Sequence, residues 1–295
     1  LKQAANARGI RMFGDMPIFV AHESADVWAH QDIFSLDSLG NPAVVAGVPP
    51  DYFSDTGQLW GNPLYDWKRL EDSNYGWWVD RFRNAFQDFD ILRLDHFRGF
   101  EAYWEVPADA ETAVDGRWAT GPGDKFFLAV ADQLGELPIV AEDLGLITDE
   151  VHALRNRLGF PGMRVMQFGF DVEHDVFHRP DSFPQHCFAY TGTHDNDTIM
   201  GWFSDRDGLS DPILSRYLTS DGHAIHWQLI RLVLESDAEV AVIPMQDLLG
   251  LGSPSRMNIP GQADGNWTWR CLADSLSTEV ATQLRELTTN SDRLT

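Results

Sequence analysis

The stretch 89–100, Phe-Asp-Ile-Leu-Arg-Leu-Asp-His-Phe-Arg-Gly-Phe, constrains this chain more than any other. Its first half is a short apolar run of the kind that forms a strand buried on both faces. Arg93 and Asp95 stand two apart within it, and the two-residue period of a strand points both to one side. A charge in such a place is costly unless it is paired. A guanidinium beside a carboxylate favours the ionised form, and an ionised carboxylate at the end of a buried strand suits a nucleophile. A salt bridge that only fills a barrel interior satisfies the same pattern. On this stretch alone both readings stay open.

The rest of the chain supplies a context. Its 295 residues suffice for one large α/β domain or two smaller ones. A helix end is expected over 1–8, closed by Gly9. Strands are expected over 10–20, in the opening stretch, and over 138–141, 162–170, 187–193 and 239–245. Helices are expected over 24–30, 75–88, 124–134, 148–159, 223–235 and 276–287, with Trp78, Phe82 and Phe86 four apart on one face. Two long inserted stretches, about 40–67 and 101–123, read as irregular loops, and loops of that length are usually functional. Alternation of strand and helix predicts a parallel sheet covered by helices. Polar residues at the C-terminal strand ends match the active face of a (β/α)8 TIM barrel; a doubly wound open sheet is the rival. With no Gly-rich phosphate turn in the sequence, nucleotide binding has no support.

Composition narrows the function. A formal net charge of -23 argues against nucleic acid and against an anionic membrane surface. No apolar run approaches the roughly 18 residues of a membrane helix, and no signal peptide is read ahead of the fold. Cys187 and Cys271 lack zinc-type spacing, so free, buried thiols in a reducing cytoplasm are expected. Eleven Trp help bring aromatics to 12%, many of them in polar, Gly/Pro-rich stretches. Aromatic platforms beside carboxylates suit sugar rings, whose faces are apolar and rims polar.

The strand ends collect Asp15, Asp95 with Arg93 and His96, Glu142 with Asp143, His194 with Asp195, and Asp247. No His-x-His or His-x-x-x-His spacing supports a metal, and neither metal nor cofactor is expected. Glycoside chemistry needs one ionised carboxylate and one protonated carboxylic acid. Asp95 beside Arg93 suits the first; Glu142, leaving an apolar strand where desolvation raises its pKa, suits the second.

The series Leu92-Arg93-Leu94-Asp95, Ala141-Glu142-Asp143-Leu144-Gly145 and Thr193-His194-Asp195-Asn196 resembles the motifs of the α-amylase clan. Further phrases, at 14–20, 49–54, 57–63, 250–252 and 256–258, resemble one branch, the 4-α-glucanotransferases (amylomaltase or disproportionating enzyme) of glycoside hydrolase family 77. The likeness runs along nearly the whole chain. It implies Asp95 as nucleophile, Glu142 as acid/base, and Asp195 as a third carboxylate gripping sugar hydroxyls. It implies Arg93, His96, His194 and Asn258 as substrate contacts, with Asp15 either a sugar contact or structural. Tyr52, Phe53 and Trp60 would belong to a loop covering the cleft.

The activity so implied is transfer of α-1,4-glucan segments between maltodextrins by retaining double displacement. Its partners would be maltodextrins or glucans derived from starch or glycogen. An α-glucan hydrolase of the same clan and an inactive glucan-binding fragment are the alternatives. In the family barrel the strand bearing Asp15 would be the third. The chain is therefore expected to be one partial catalytic domain, 1–295, carrying about strands 3 to 8 without the first two. A barrel so opened exposes edges and core, and the chain alone is expected to fold poorly or act weakly.

Overall fold

The computed structural model describes residues 1–50, 54–171, 176–220, 222–262 and 264–294. Among them are ten strands: β1 Phe13–Pro17, β2 Val44–Val48, β3 Gln58–Pro63, β4 Ile91–Asp95, β5 Ala102–Pro107, β6 Arg117–Thr120, β7 Ile139–Ala141, β8 Gly162–Val165, β9 Cys187–Tyr190 and β10 Val240–Val242. The chain divides into two compact units, Leu1–Gly162 and Met163–Thr295.

The first unit contains a parallel sheet in the order β1-β4-β7. Its register sets Asp15 opposite Arg93 and Pro17 opposite Asp95, then Arg93 opposite Val140 and Leu94 opposite Ala141. The pairing continues past β7, where the Glu142 amide donates to the Leu94 carbonyl at 3.1 Å. Successive rows of the sheet thus deliver Asp15, Arg93, Asp95 and Glu142 to neighbouring positions. β1 is shorter than the expected 10–20. The Met12 amide is taken by the Asp90 carboxylate instead of a strand partner, and Pro17 has no amide to extend the ladder.

The stretches expected to be irregular are largely built structure. β2, β3, β5 and β6 form an antiparallel sheet in the order β3-β2-β5-β6. Trp104 and Trp118 face each other across β5 and β6, ring centroids 5.1 Å apart; such aromatic cross-strand pairs stabilise a ribbon. Gly and Pro in these segments mark bends within the ribbon, and reading them as loop signals concealed it. The β2–β3 register shifts between Val45 and Gly47, and the bulging strand contains Gly61 at φ +77°. Bulges re-aim side chains beside functional sites, and Trp60 lies in this one.

An aromatic core supports the sheet. Helix Gly76–Asp88 buries Trp78, Val79 and Phe82, and helix Asp124–Leu134 buries Phe126, Phe127 and Val130. The 3-10 turn Phe97–Phe100, directly after β4, inserts Phe97 and Phe100 among them. Trp78 stands 5.3 Å from Phe126 and 5.7 Å from Phe100, both edge-on. The turn that carries the chain away from Asp95 is therefore anchored in the core.

In the second unit β9 lies between β8 and β10, parallel to β10. Leu229 and Val233 of helix Ile225–Leu234 pack with Met166, Cys187 and Ala189. Helix Thr278–Asn290 lays Val280, Leu284 and Leu287 against Trp227, Ile230 and Leu234, the i, i+4, i+7 spacing of one helical face. Three expected strands end early here. The chain turns helical at Phe168–Asp171 after β8, enters a loop after Tyr190, and begins a helical turn at Met245 behind Pro244. Cys187 is buried as expected, whereas Cys271 is exposed. Among the described residues no helix is long and apolar enough to cross a membrane.

Removing the largest side chain of the first core tests this account. Trp78→Ala is expected to cost about 3–5 kcal/mol in urea unfolding; a loss below about 1 kcal/mol would show that the aromatic cluster does not hold the sheet.

Candidate active site

Arg93 is the pivot of the first unit's site. Its guanidinium donates from Nε and Nη2 to the two oxygens of Asp15, at 2.9 and 3.0 Å, and from Nη2 to Asp95 Oδ1 at 2.7 Å. The same-side arrangement expected from strand periodicity is therefore present. The burial differs from expectation in a useful way. The Arg93 side chain is 11% exposed, but that of Asp95 is 40% exposed, so the carboxylate is held from below and open above. Burial pulls the Arg93 pKa down, and the charges of Asp95, Asp15 and Glu142 more than offset it, leaving the guanidinium held above its usual range. Asp15 accepts from Arg93 through both oxygens while 45% of its side chain stays exposed.

Glu142 follows β7 directly. Its Oε2 accepts the amide of His96 and its Oε1 the amide of Leu144, both at 2.8 Å. Those donors and Arg93 favour the carboxylate, but desolvation and the charge of Asp95 outweigh them and push the carboxyl up to about 8. At neutral pH this side chain holds a proton. The desolvation effect read from the apolar strand 138–141 is thus present.

His96 makes this geometry possible. It adopts a left-handed backbone, φ +51° and ψ +49°, uncommon for a residue other than glycine and characteristic of functional sites. Its amide meets Glu142 in that conformation. Burial, then the charge of Arg98, lowers its imidazole to about 3, so the ring is neutral. Nε2 is buried without a hydrogen-bond partner, a cost of about 1–3 kcal/mol that a ligand hydroxyl would remove. Gly99 leaves room for the ring: a Cβ there would stand 3.1 Å from His96 Cδ2 and 2.8 Å from Ile18. Trp60, re-aimed by the bulge, lies edge-on to His96 at 4.8 Å, with Phe19 6.4 Å from the same imidazole.

The second unit carries His194, Asp195 and Asn258. Asp195 Oδ2 lies 3.4 Å from His194 Nε2, and Asn258 Nδ2 donates to Asp195 Oδ1 at 2.6 Å. A pocket of about 140 Å³ beside them is lined by residues including Thr193, His194, Gln246, Arg256 and Trp267. Trp267 is half exposed, left-handed at φ +60°, and 5.1 Å from the His194 ring. Asp247, gathered with the strand-end carboxylates, is instead buried and spent on structure: it accepts Thr191 Oγ1 at 2.6 Å and the Ile199 amide at 2.8 Å. Asp143 is likewise buried and paired with Arg155. Tyr52 and Phe53 lie outside the described residues. Arg256 and Trp267 were not singled out in the sequence. Arg256 stood inside a quoted phrase, and a lone Trp in a polar stretch was the available signal for the other. Among the described residues no group of three His, Cys, Asp or Glu is disposed to hold a metal ion.

Comparison with known proteins places this chain in a family. The family model described as 4-alpha-glucanotransferase, glycoside hydrolase family 77, matches residues 1–275. A 4-alpha-glucanotransferase of Thermus thermophilus is 50% identical across 100% of this chain and 60% of its own length. One from Synechocystis is 51% identical across 98% of this chain and 58% of its own. The solved structure of amylomaltase from Streptococcus agalactiae in complex with acarbose superposes with a TM-score of 0.93 at 38% identity, covering 100% of this chain and 60% of that one. This chain has an α/β fold like that amylomaltase, and it spans about 60% of the length of such relatives. The chain belongs to the 4-alpha-glucanotransferase family.

Proposed function

We propose that the protein bearing this chain is a 4-alpha-glucanotransferase, with Asp95 as nucleophile, Glu142 as acid/base and Asp195 as the third carboxylate. The observation that carries this is the pairing of an open carboxylate clamped by Arg93 with a proton-bearing Glu142 one strand away. Two carboxyls whose surroundings separate their protonation states are the acid and base of glycoside chemistry. The parallel strands would be strands 3 to 8 of a (β/α)8 barrel, residues 1–295 forming part of one catalytic domain. The two free thiols fit a cytoplasmic setting.

In the first step Glu142 gives its proton to the glycosidic oxygen while Asp95 attacks the anomeric carbon. The leaving glucan departs as an alcohol and a glycosyl ester remains on Asp95. In the second step Glu142, now a carboxylate stabilised by the amides of His96 and Leu144, takes the proton of an acceptor's 4-hydroxyl. That oxygen displaces Asp95, and two inversions give a retained α linkage. In this reading His96 and His194 would bond sugar hydroxyls, and Arg93 would hold Asp95 as charge develops. Trp60 presents an aromatic edge that excludes water and favours a glucan acceptor. The amylomaltase of Streptococcus agalactiae was solved with acarbose, which supports α-glucans such as maltodextrins as the substrates here.

Maltotriose given to the protein at its natural length is expected to yield longer maltodextrins along with shorter ones; glucose and maltose as sole products would mean water is the acceptor and contradict transfer. The acid must be protonated in the free enzyme, so kcat/KM is expected to fall as pH rises through about 8. Asp95→Asn removes a charge that raises Glu142, so carboxyl infrared titration should find Glu142 lower than in the parent. Burial should still keep it above its ordinary value of 4.5. An alkaline limb unrelated to that titration would take the acid role from Glu142.

A further inference from the structure

Asp195 is gripped from a distant segment of its own unit at several points at once. Asn258 Nδ2 donates to its carboxylate Oδ1 at 2.6 Å, and the Asn258 amide donates to the His194 carbonyl at 3.0 Å. Arg256 Nη2 donates to the Asp195 carbonyl at 2.6 Å, while its Nε donates to the Asn258 carbonyl at 2.9 Å. One guanidinium therefore ties together the two peptides whose side chains meet. The segment is fixed from its far side as well: the Trp267 amide donates to the Met257 carbonyl at 2.7 Å, and the Ile259 amide donates to Asn266 Oδ1 at 2.9 Å.

We propose that Arg256 and Asn258 are positioning residues for Asp195, Asn258 setting the orientation of its carboxylate and Arg256 locking the two loops that carry them. The resemblance assigns Asn258 to the substrate, but one of the two N–H groups of its side-chain amide is already given to Asp195. The fixed fork of arginine suits this work, since it spans two carbonyls in one plane. The neutral amide of Asn258 fixes one carboxylate oxygen, and Oδ2 lies 3.4 Å from His194 Nε2. The proposal rests on the reading of Asp195 as the third carboxylate, and its test separates the two.

Asn258→Asp is isosteric and converts the donor into a group that donates only when protonated. Above the pH at which the introduced carboxyl ionises, two like charges face each other and Asp195 is driven from its position. Maltotriose transfer should then fall on the order of 10²-fold, the cost of a misplacement near 1 Å. It should recover as pH drops, shifting the optimum to more acid values than in the parent. Arg256→Gln should lower kcat with little change in KM, and Arg256→Lys, which keeps one donor, should restore part of it. A merely structural role would lower the thermal midpoint without moving the pH optimum. Loss confined to KM, with the optimum unchanged, would make Asn258 a plain substrate contact and overturn the proposal. If Asp195→Asn leaves transfer intact, the functional reading fails; if that change abolishes transfer while Asn258→Asp behaves as the parent at every pH, the positioning proposal alone fails.

Discussion

The guanidinium of Arg93 bonds a carboxylate on each of two adjacent strands, and the first unit's site is arranged around it. The interaction is unequal by construction: the cation is buried and both anions reach the surface. Removing a partner from a buried pair costs about 3–5 kcal/mol, whereas exposed pairs contribute about 0–1 kcal/mol. Most of the penalty for losing Asp15 would therefore come from the stranded guanidinium. Asp15 satisfies Arg93 from one side, and Asp95, which Arg93 also holds, keeps 40% of its side chain exposed.

The surroundings of Glu142 suit the double role of acid and base proposed for it. Its two oxygens already accept backbone amides, an arrangement that alone would make it a strong acid. Burial and the neighbouring Asp95 reverse the balance and keep the proton on. Once the proton has gone, the amides are in place to hold the carboxylate until the proposed acceptor arrives. Neither amide needs to move, because the left-handed turn at His96 has already aimed one of them. The strain of that turn and the unpartnered Nε2 are costs that the aromatic packing of Phe97 and Phe100 helps to sustain.

Much of this was legible in the sequence, because strand periodicity is a short-range property. The two-residue spacing of Arg93 and Asp95 was enough to place both on one side of β4, and the apolar run before Glu142 was enough to anticipate its raised pKa. The antiparallel ribbon of β2, β3, β5 and β6 was not legible: its glycines and prolines carry the signals of loops, and its partners lie up to dozens of residues apart. Trp60 was picked out, but the bulge that aims it was not. Arg256 was missed for a related reason, since one of its two bonds is to a backbone carbonyl 61 residues away, which no local pattern records. Asp247 erred in the opposite direction. Its place after a strand looked like that of a reacting carboxylate, yet both oxygens are consumed in tying Thr191 and the start of helix Ile199–Asp205.

A trapped intermediate would show most directly whether Asp95 forms the glycosyl ester. Glu142→Gln, treated with an α-maltosyl fluoride whose leaving group needs no acid, should form the ester and lack the base to release it. Mass spectrometry of the digested protein, taken at its natural length, should then find one maltosyl unit on the peptide containing Asp95, removable by azide. A glycosyl group on any other carboxylate, or rapid fluoride release with none retained, would contradict the account.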